Sequence, residues 1–236
     1  MGQTGWWQAG VVGLLIAVLF WQQLQRLYAI WTTSGDWSHG LVVPFFSLYF
    51  LHIQRNRLAR ASGEGSWLGL AVLLLGIGLY GYSIYPLKMG FPQSVAIVIT
   101  LFGAVLLLAG FRVIKIVWMP IVSLLFALPW PASMYDRGTL PLRELGAMIS
   151  AGVLKLGPGI DQIIREGTII RYLHTGRMGE LGVAQACSGM RLLMAFCALG
   201  VAMAYLTDRP WWHRMVMVLS CLPIAIFCNM VRVTVT

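Results

Sequence analysis

The sequence predicts an all-α integral membrane protein with about seven transmembrane helices, an interfacial helix and a small extracytoplasmic hairpin. Of its 236 residues, 58% are hydrophobic and only 11% are charged, and the mean hydropathy is +0.77. Soluble domains carry about 25% charged residues and could not bury so much apolar surface, whereas lipid can cover it. Apolar runs alternate with short charged loops along the chain, which gives the same prediction.

Seven of these runs approach the roughly 20 residues that a helix needs to cross a bilayer. The second run is short, but it can be extended at its start to Trp37. Trp and Tyr flank most of the runs, as is typical of the headgroup level. No basic residue precedes the first run, which favours a retained helix over a signal peptide. The predicted spans are residues 6–21, 41–53, 67–85, 92–111, 113–131, 187–206 and 211–231. We expect them to form one membrane domain over residues 1–236.

Basic residues in the short loops predict the orientation. Three loops on one side hold most of them, and cytoplasmic loops are enriched in Lys and Arg, so this side is predicted to face the cytoplasm. The same pattern explains the formal net charge of +9, and no nucleic-acid partner is expected. The basic and histidine residues in question are Arg55, Arg57 and Arg60, then Arg112 and Lys115, then Arg209, His213 and Arg214.

The longest connection, residues 131–186, falls on the extracytoplasmic side in this arrangement. Residues 140–156 are apolar but include three charged side chains, which favours an interfacial or re-entrant helix over a full span. The Gly157-Pro158-Gly159 sequence then breaks the helix. Residues 168–173 are β-branched and apolar, and a turn at 175–177 follows them. This pattern predicts a small hairpin above the membrane.

Several chemically distinctive side chains are brought to the same membrane face by the alternation of spans. Cys187 opens the sixth span, Arg232 closes the seventh one turn after Asn229, and His39 precedes the second. A helix N-terminus favours the thiolate of Cys187, and Arg191 shares its helical face, so both should lower the pKa of the thiol. A structural cysteine with Arg191 reaching to the headgroups explains the same pattern, and this alternative stays open.

The remaining cysteines and histidines carry no comparable signal. Cys197, Cys221 and Cys228 lie within apolar runs, where a cysteine usually acts as a small hydrophobic side chain. No Cys or His pair has the spacing of a metal site. The sequence therefore predicts no metal, no cofactor and no disulfide.

The motifs around the distinctive residues resemble those of the exosortase/archaeosortase family, which are membrane-embedded, cysteine transpeptidase-like protein-sorting enzymes. The matching segments keep the family's order and spacing over about residues 37–236. The most specific part is Ala186-Cys187-Ser188-Gly189 at the start of one span, paired with Asn229-Met230-Val231-Arg232 at the end of the next. The full set of matching segments comprises residues 38–44, 128–131, 140–142, 186–191 and 229–234.

The resemblance implies a catalytic role for two residues, and the residue pattern adds three weaker, supporting candidates. Cys187 would be the nucleophile and Arg232 a catalytic arginine, supported by Arg191, Asn229 and His39. The family's third catalytic residue, a His or an Arg, is expected in a further helix beyond Thr236, so we expect the printed sequence to lack that eighth helix.

The resemblance also implies a reaction, a substrate and a location. Cys187 would cleave the C-terminal sorting signals of exported proteins, of PEP-CTERM type, by acyl transfer or hydrolysis through a thioester. Water or an amine on a lipid or envelope component would resolve that thioester. The protein would lie in the prokaryotic cytoplasmic (inner) membrane with its active site at the extracytoplasmic face, where it contacts membrane lipid and the sorting tails of its substrates.

Two other function classes remain open from the sequence. A non-enzymatic multispan protein of envelope or exopolysaccharide export or transport would be expected to carry ionisable groups near the middle of the membrane. The predicted spans 67–85 and 92–111 contain no Asp, Glu, Lys, Arg or His residue. An intramembrane serine protease is suggested by Ser188-Gly189, but the sequence contains no Gly-x-Ser-Gly motif.

Overall fold

A computed structural model describes residues 3–61, 64–131, 160–167, 169–174, 177–182 and 189–235, with scattered positions between 133 and 152. Its contacts divide the chain into two compact units, Met1–Pro129 and Trp130–Thr236. The expectation of one membrane domain over residues 1–236 stays a prediction.

The first unit is helical throughout its regular elements. Two short 3-10 helices, Gly35–Leu41 and Leu124–Ala127, stand before α3 and after α6. The α-helices are α1 (Gln3–Leu19), α2 (Trp21–Thr33), α3 (Val43–Ile53), α4 (Arg55–Arg60), α5 (Trp67–Ile84) and α6 (Gly90–Ser123).

The bend between α1 and α2 is held by a buried aromatic residue and a polar anchor. The two helices meet at 73° on either side of Phe20. Phe20 is fully buried, and its ring packs against that of Tyr80 with centroids 4.4 Å apart. Three residues later, the buried Gln23 donates hydrogen bonds to the Ser94 hydroxyl at 2.7 Å and the Gly90 carbonyl at 3.2 Å. A buried amide needs such partners, so these bonds fix α2 against the start of α6.

The α5–α6 pair packs backbone against backbone through glycine. A Cβ atom at Gly69 would collide with the main chain of Leu107, and one at Gly103 would collide with the main chain of Leu73. In lipid there is no hydrophobic driving force between helices. Membrane helices therefore associate through close van der Waals packing, which small residues allow. The contacts therefore align α5 and α6 as a close antiparallel pair.

Gly110 interrupts α6 with a backbone that other residues rarely adopt. Its φ of 73° and ψ of −175° are not helical, and a Cβ there would collide with the carbonyl oxygen of Glu64. Glycine is required here because it alone tolerates this φ and leaves room for that close approach. The break lies next to the predicted boundary between the spans at 92–111 and 113–131, and α6 consists of two helices joined across this kink.

Three of the helices are long and apolar enough to cross a membrane, namely Trp67–Ile84, Gly90–Ala127 and Trp211–Cys228. The bent pair Gly10–Leu19 and Trp21–Thr33 gives a fourth if it is counted as one span. The predicted second span corresponds to α3, which has only 11 residues. The helical membrane fold is therefore confirmed, whereas the count of seven spans is not.

The second unit contains a three-stranded antiparallel sheet, with β1 (Ile160–Glu166), β2 (Ile169–His174) and β3 (Arg177–Gly182) adjacent in chain order. β2 and β3 form the predicted hairpin, with Ile169 opposite Gly182 and His174 opposite Arg177. β1 was not predicted. The predicted interfacial helix at 140–156 falls largely outside the described residues.

Two antiparallel helices complete the second unit, α7 (Gly189–Leu206) and α8 (Trp211–Val235). A connection of four residues joins them, and the amides of His213 and Arg214 bond to the carbonyl of Pro210 as α8 begins. They contact each other at Gly200, where a Cβ atom would collide with the sulfur of Cys221.

Candidate functional site

The Gly200–Cys221 contact sets the register of α7 against α8. The Cys221 thiol donates a hydrogen bond to the Met217 carbonyl at 3.2 Å, which holds its sulfur against the helix surface facing Gly200. In an antiparallel pair, each step forward on one helix is matched by a step back on the other. The position of Gly189, eleven residues before Gly200, is therefore about level with that of Arg232, eleven residues after Cys221.

The structure describes the candidate catalytic positions to different depths. Cys187 itself falls outside the described residues, two positions before α7 begins. Arg191 belongs to the first turn of α7, while Asn229 and Arg232 belong to the last part of α8. For these three, the backbone is described and the side chains are not. Their helical positions bring the backbone of Arg232 to the end of the pair at which α7 starts.

His39 is described in full and lies in the first unit, within the 3-10 helix before α3. Its Nε2 atom is 3.1 Å from the carbonyl oxygen of Phe126, and because a carbonyl only accepts, Nε2 carries the proton and donates. The ring of Trp37 lies beside the imidazole, with centroids 5.8 Å apart. The Nδ1 atom is buried, and no hydrogen-bond partner for it is found in the described part of the chain.

Burial lowers the pKa of His39 below its ordinary value, because an apolar environment disfavours the charged imidazolium. The backbone groups of Phe126 and Asp36 act in the opposite direction by favouring the charged form, although the Asp36 backbone makes no well-formed hydrogen bond to Nδ1. We give more weight to the burial, which is the largest of the three effects. His39 is therefore neutral at neutral pH, with its proton on Nε2.

Trp31 makes a second contact of the same kind, which sequence reasoning missed. Its indole N–H donates to the carbonyl of Ala127 at 2.8 Å, next to the carbonyl that His39 binds. The same indole fills the space beside Gly40, so any side chain at position 40 would collide with it. Nothing in the local sequence signals this contact, because Trp31 and Ala127 are 96 residues apart.

These two hydrogen bonds connect one of the family-like motif segments to the residues just before another. The segment 38–44 includes His39 and Gly40, and the segment 128–131 follows directly after the two bound carbonyls. Within the first unit, the segment 38–44 is therefore attached to the two residues that precede Leu128 and Pro129. His39 belongs to that unit, whereas the positions of Arg191, Asn229 and Arg232 belong to the second.

Free thiols occur among the described residues, whereas a cluster of metal ligands does not. Within the part of the chain that the structure describes, no group of three or more His, Cys, Asp or Glu residues could hold a metal ion. Cys197, Cys221 and Cys228 are free thiols. The expectation that the protein works without a metal or cofactor stays a prediction.

The comparison with protein families decides the assignment. The family model for transmembrane exosortases matches residues 31–236. The chain belongs to the transmembrane exosortase family. No curated protein and no solved structure matched it. The matched range of this exosortase contains the Trp31 and His39 contacts, the sheet and the whole α7–α8 pair.

Membership confirms the coarser expectations from the sequence. This exosortase is a multi-pass membrane protein, and its family acts on exported proteins that carry sorting signals. The match does not assign roles to individual residues, so Cys187, Arg232, Arg191, Asn229 and His39 stay candidates.

Proposed function

We propose that this exosortase is a membrane cysteine peptidase or transpeptidase that cleaves C-terminal sorting signals of PEP-CTERM type through a thioester on Cys187. The observation that carries the proposal is the register of α7 and α8. It supports a shared site because Arg232 is about level with Gly189, the residue that begins α7 two positions after Cys187.

The reaction divides one acyl transfer into two steps. The Cys187 sulfur attacks the carbonyl carbon of a peptide bond in the sorting segment, and the guanidinium of Arg232 stabilises the negative charge that develops on the oxygen. The C–N bond then breaks, the departing amine gains the proton that the thiol lost, and an acyl thioester remains on Cys187. Water or an amine of a lipid or envelope component attacks this thioester and restores the thiol.

The supporting residues act on these two groups in different ways. Arg191, four residues after Cys187 in the sequence, favours the thiolate by its charge. Asn229, one turn before Arg232, is suited to orient the guanidinium by hydrogen bonding. For His39, its bond to the Phe126 carbonyl favours a positioning role within the first unit over direct chemistry.

The proposed topology places this reaction at the extracytoplasmic face of the prokaryotic cytoplasmic membrane. Seven spans, with Arg55, Arg57 and Arg60 in the cytoplasm, would bring residues 131–186 and the start of α7 to the outer side. A sorting tail with its own hydrophobic helix would lie in the bilayer and present its cleavage motif at that face.

The test is processing of a sorting-tail substrate by the full-length protein in cells, measured as the ratio of processed to unprocessed substrate at equal enzyme abundance. Cys187→Ala and Cys187→Ser should both abolish processing, since a hydroxyl lacks the acidity of the thiol. Arg232→Lys should reduce processing by about 100-fold or more, because an ammonium cannot reproduce the planar set of donors. Arg191→Ala should have a milder effect.

Cys197→Ala is the matched control, since it removes a thiol from α7, the helix that begins two positions after Cys187, and it should process the substrate normally. Wild-type processing by Cys187→Ala would overturn the cysteine mechanism. It would instead support a non-enzymatic role in envelope or exopolysaccharide export.

A further inference from the structure

The first unit contains a large apolar groove that the proposed chemistry does not use. It has a volume of about 1010 Å³ and lies between α6 on one side and α3 and α4 on the other. Binding pockets for small molecules usually measure about 300–1,000 Å³, so this one is at the upper end of that range. All but three of its lining side chains are apolar, the exceptions being Ser47, Arg55 and Asn56.

The wall formed by α6 is continuous across the break at Gly110. Leu101, Val105 and Ala109 line the groove before the break, and Val113 and Val117 line it after the break. One hydroxyl lines the groove, that of Ser47 on α3, and it already donates a hydrogen bond to the Pro120 carbonyl at 2.7 Å. The groove therefore offers a long apolar surface along α6, which suits a hydrocarbon chain.

The polar part of the groove lining is cationic. Arg55 and Asn56 line it there, and both are exposed. Arg55 donates a hydrogen bond from Nη1 to Nε2 of His52 at 2.9 Å, which leaves its other guanidinium N–H groups able to bind an anion. α4 contains two further arginines, Arg57 and Arg60, and no acidic residue.

We infer that this groove binds an anionic phospholipid, with an acyl chain along α6 and the phosphate at Arg55. The shape and charge match such a molecule because it joins a long apolar chain to a negative head, and basic pockets at helix ends are suited to anionic headgroups. The basic end of a sorting tail would meet Arg55 with like charge, which disfavours the substrate as the occupant. The inference does not depend on Cys187.

Native mass spectrometry of the full chain, purified in a mild detergent, tests the site. Phosphatidylglycerol and phosphatidylcholine with identical acyl chains are added separately, and the bound fraction is measured over a range of concentrations. One phosphatidylglycerol should bind per chain, at least about tenfold more tightly than phosphatidylcholine, because both headgroups carry a phosphate but the positive choline group is repelled by the arginines of α4. Inorganic phosphate should not compete, because the acyl chain contributes to the binding.

Two pairs of variants locate the headgroup and the chain. Arg55→Glu should weaken phosphatidylglycerol binding by at least about tenfold, and Arg55→Gln should weaken it less. Arg60→Glu changes the charge of the same helix equally but at a position that does not line the groove, so it should bind normally. Leu48→Trp should block both lipids by filling the groove. Leu74→Trp, a similarly exposed site on α5 (57% against 62%) outside the groove, should not.

Equal binding of the two lipids by the wild-type chain would overturn the preference for an anionic lipid. Equal losses in Arg55→Glu and Arg60→Glu would show general attraction to the basic helix and would overturn the site. Normal binding by Leu48→Trp would do the same. Thermal unfolding of each variant in detergent checks that it is folded before its binding is compared.

Discussion

Two antiparallel helix pairs, α5–α6 and α7–α8, are built on the same principle but packed to different degrees. In the first pair, glycines on both helices bring main chain against main chain, at Gly69 against Leu107 and at Gly103 against Leu73. In the second, Gly200 faces the side chain of Cys221. A side chain can adjust its position and a backbone cannot, so the second pair should tolerate change better.

The two pairs also differ in how much of their surface is covered. Half of the most apolar window of Gly90–Ala127 is buried within the structure, against 11% for Trp211–Cys228. The surface of α8 is therefore left largely to lipid or to another helix. The pair α5–α6 is therefore the more enclosed scaffold, while α7–α8, which carries the Arg232 motif, is the pair that the proposed function would bring into contact with a substrate tail.

The largest expected effect concerns the side of the membrane on which two loops lie, the arginine loop before α5 and the long connection before α7. Topology reporters fused after Arg60 and after Gly176 should give opposite, all-or-none signals. The reason is that the arginine loop is predicted to be cytoplasmic and residues 131–186 extracytoplasmic. The measurement is reporter activity normalised to fusion abundance. The same side from both fusions would mean that the number of spans between them is wrong by an odd number.

The scaffold pair should be the more sensitive to an added side chain. Gly103→Val should destabilise the protein by about 3 kcal/mol, at the upper end of overpacking costs, because its Cβ meets the main chain of α5. Thermal unfolding in detergent measures this. Gly78→Val is the control, since a Cβ at Gly78 meets nothing within 4 Å. Equal stability of the two variants would refute the close packing of α5 and α6.

The open pair should lose less from the same kind of change. Gly200→Ala should cost about 1 kcal/mol, because the Cys221 sulfur in its way belongs to a side chain. Adding Cys221→Ala should restore most of that loss, whereas adding Cys228→Ala should not. This double-mutant cycle measures the coupling between the two positions. Independent effects at 200 and 221 would invalidate the register that levels Arg232 with Gly189.

The smallest expected effect concerns His39, to which we assign a positioning role in the first unit. Its pKa in the folded protein is lowered by burial, so the unfolded chain takes up a proton at higher pH. Protonation of His39 therefore costs the wild type no stability above the ordinary pKa of 6.5. Below it, the free energy of unfolding falls as the pH drops towards the lowered pKa of the folded protein.

Thermal unfolding between pH 7.5 and 5.5 should show a larger loss in the wild type than in His39→Gln, which removes the titrating group. His39→Gln should also keep substrate processing at neutral pH. Identical pH profiles would argue against a buried neutral imidazole. A complete loss of processing would mean that His39 takes part in the catalytic site and does not only position the first unit.

The features that sequence reasoning predicted correctly are those with a local cause. The apolar run at residues 67–85 ends one residue from α5, and the β-branched run at 168–173 with its turn at 175–177 matches β2 and β3. Both patterns lie within a few turns or residues of chain. β1 was not predicted because Asp161, Arg165 and Glu166 interrupt its apolar residues.

The features that it missed depend on distant contacts. The His39–Phe126 and Trp31–Ala127 hydrogen bonds join residues 87 and 96 positions apart, and no local pattern indicates them. The break at Gly110 was approximately located by the neighbouring charge at Arg112, but its positive φ follows from contact with the Glu64 carbonyl. At the candidate site, Cys187 and Arg232 stay predictions from the sequence, and the structure adds the register between α7 and α8.

The covalent intermediate tests the central claim most directly. Full-length enzyme is mixed with a peptide that ends in a sorting tail, quenched at short times, and analysed by intact mass and peptide mapping. The account predicts an added mass equal to the upstream part of the substrate, attached to Cys187 and removed by hydroxylamine, as expected for a thioester. The adduct should be absent in Cys187→Ala and present in Cys197→Ala. Cleavage of the tail without any adduct, at the same rate in Cys187→Ala, would contradict the account.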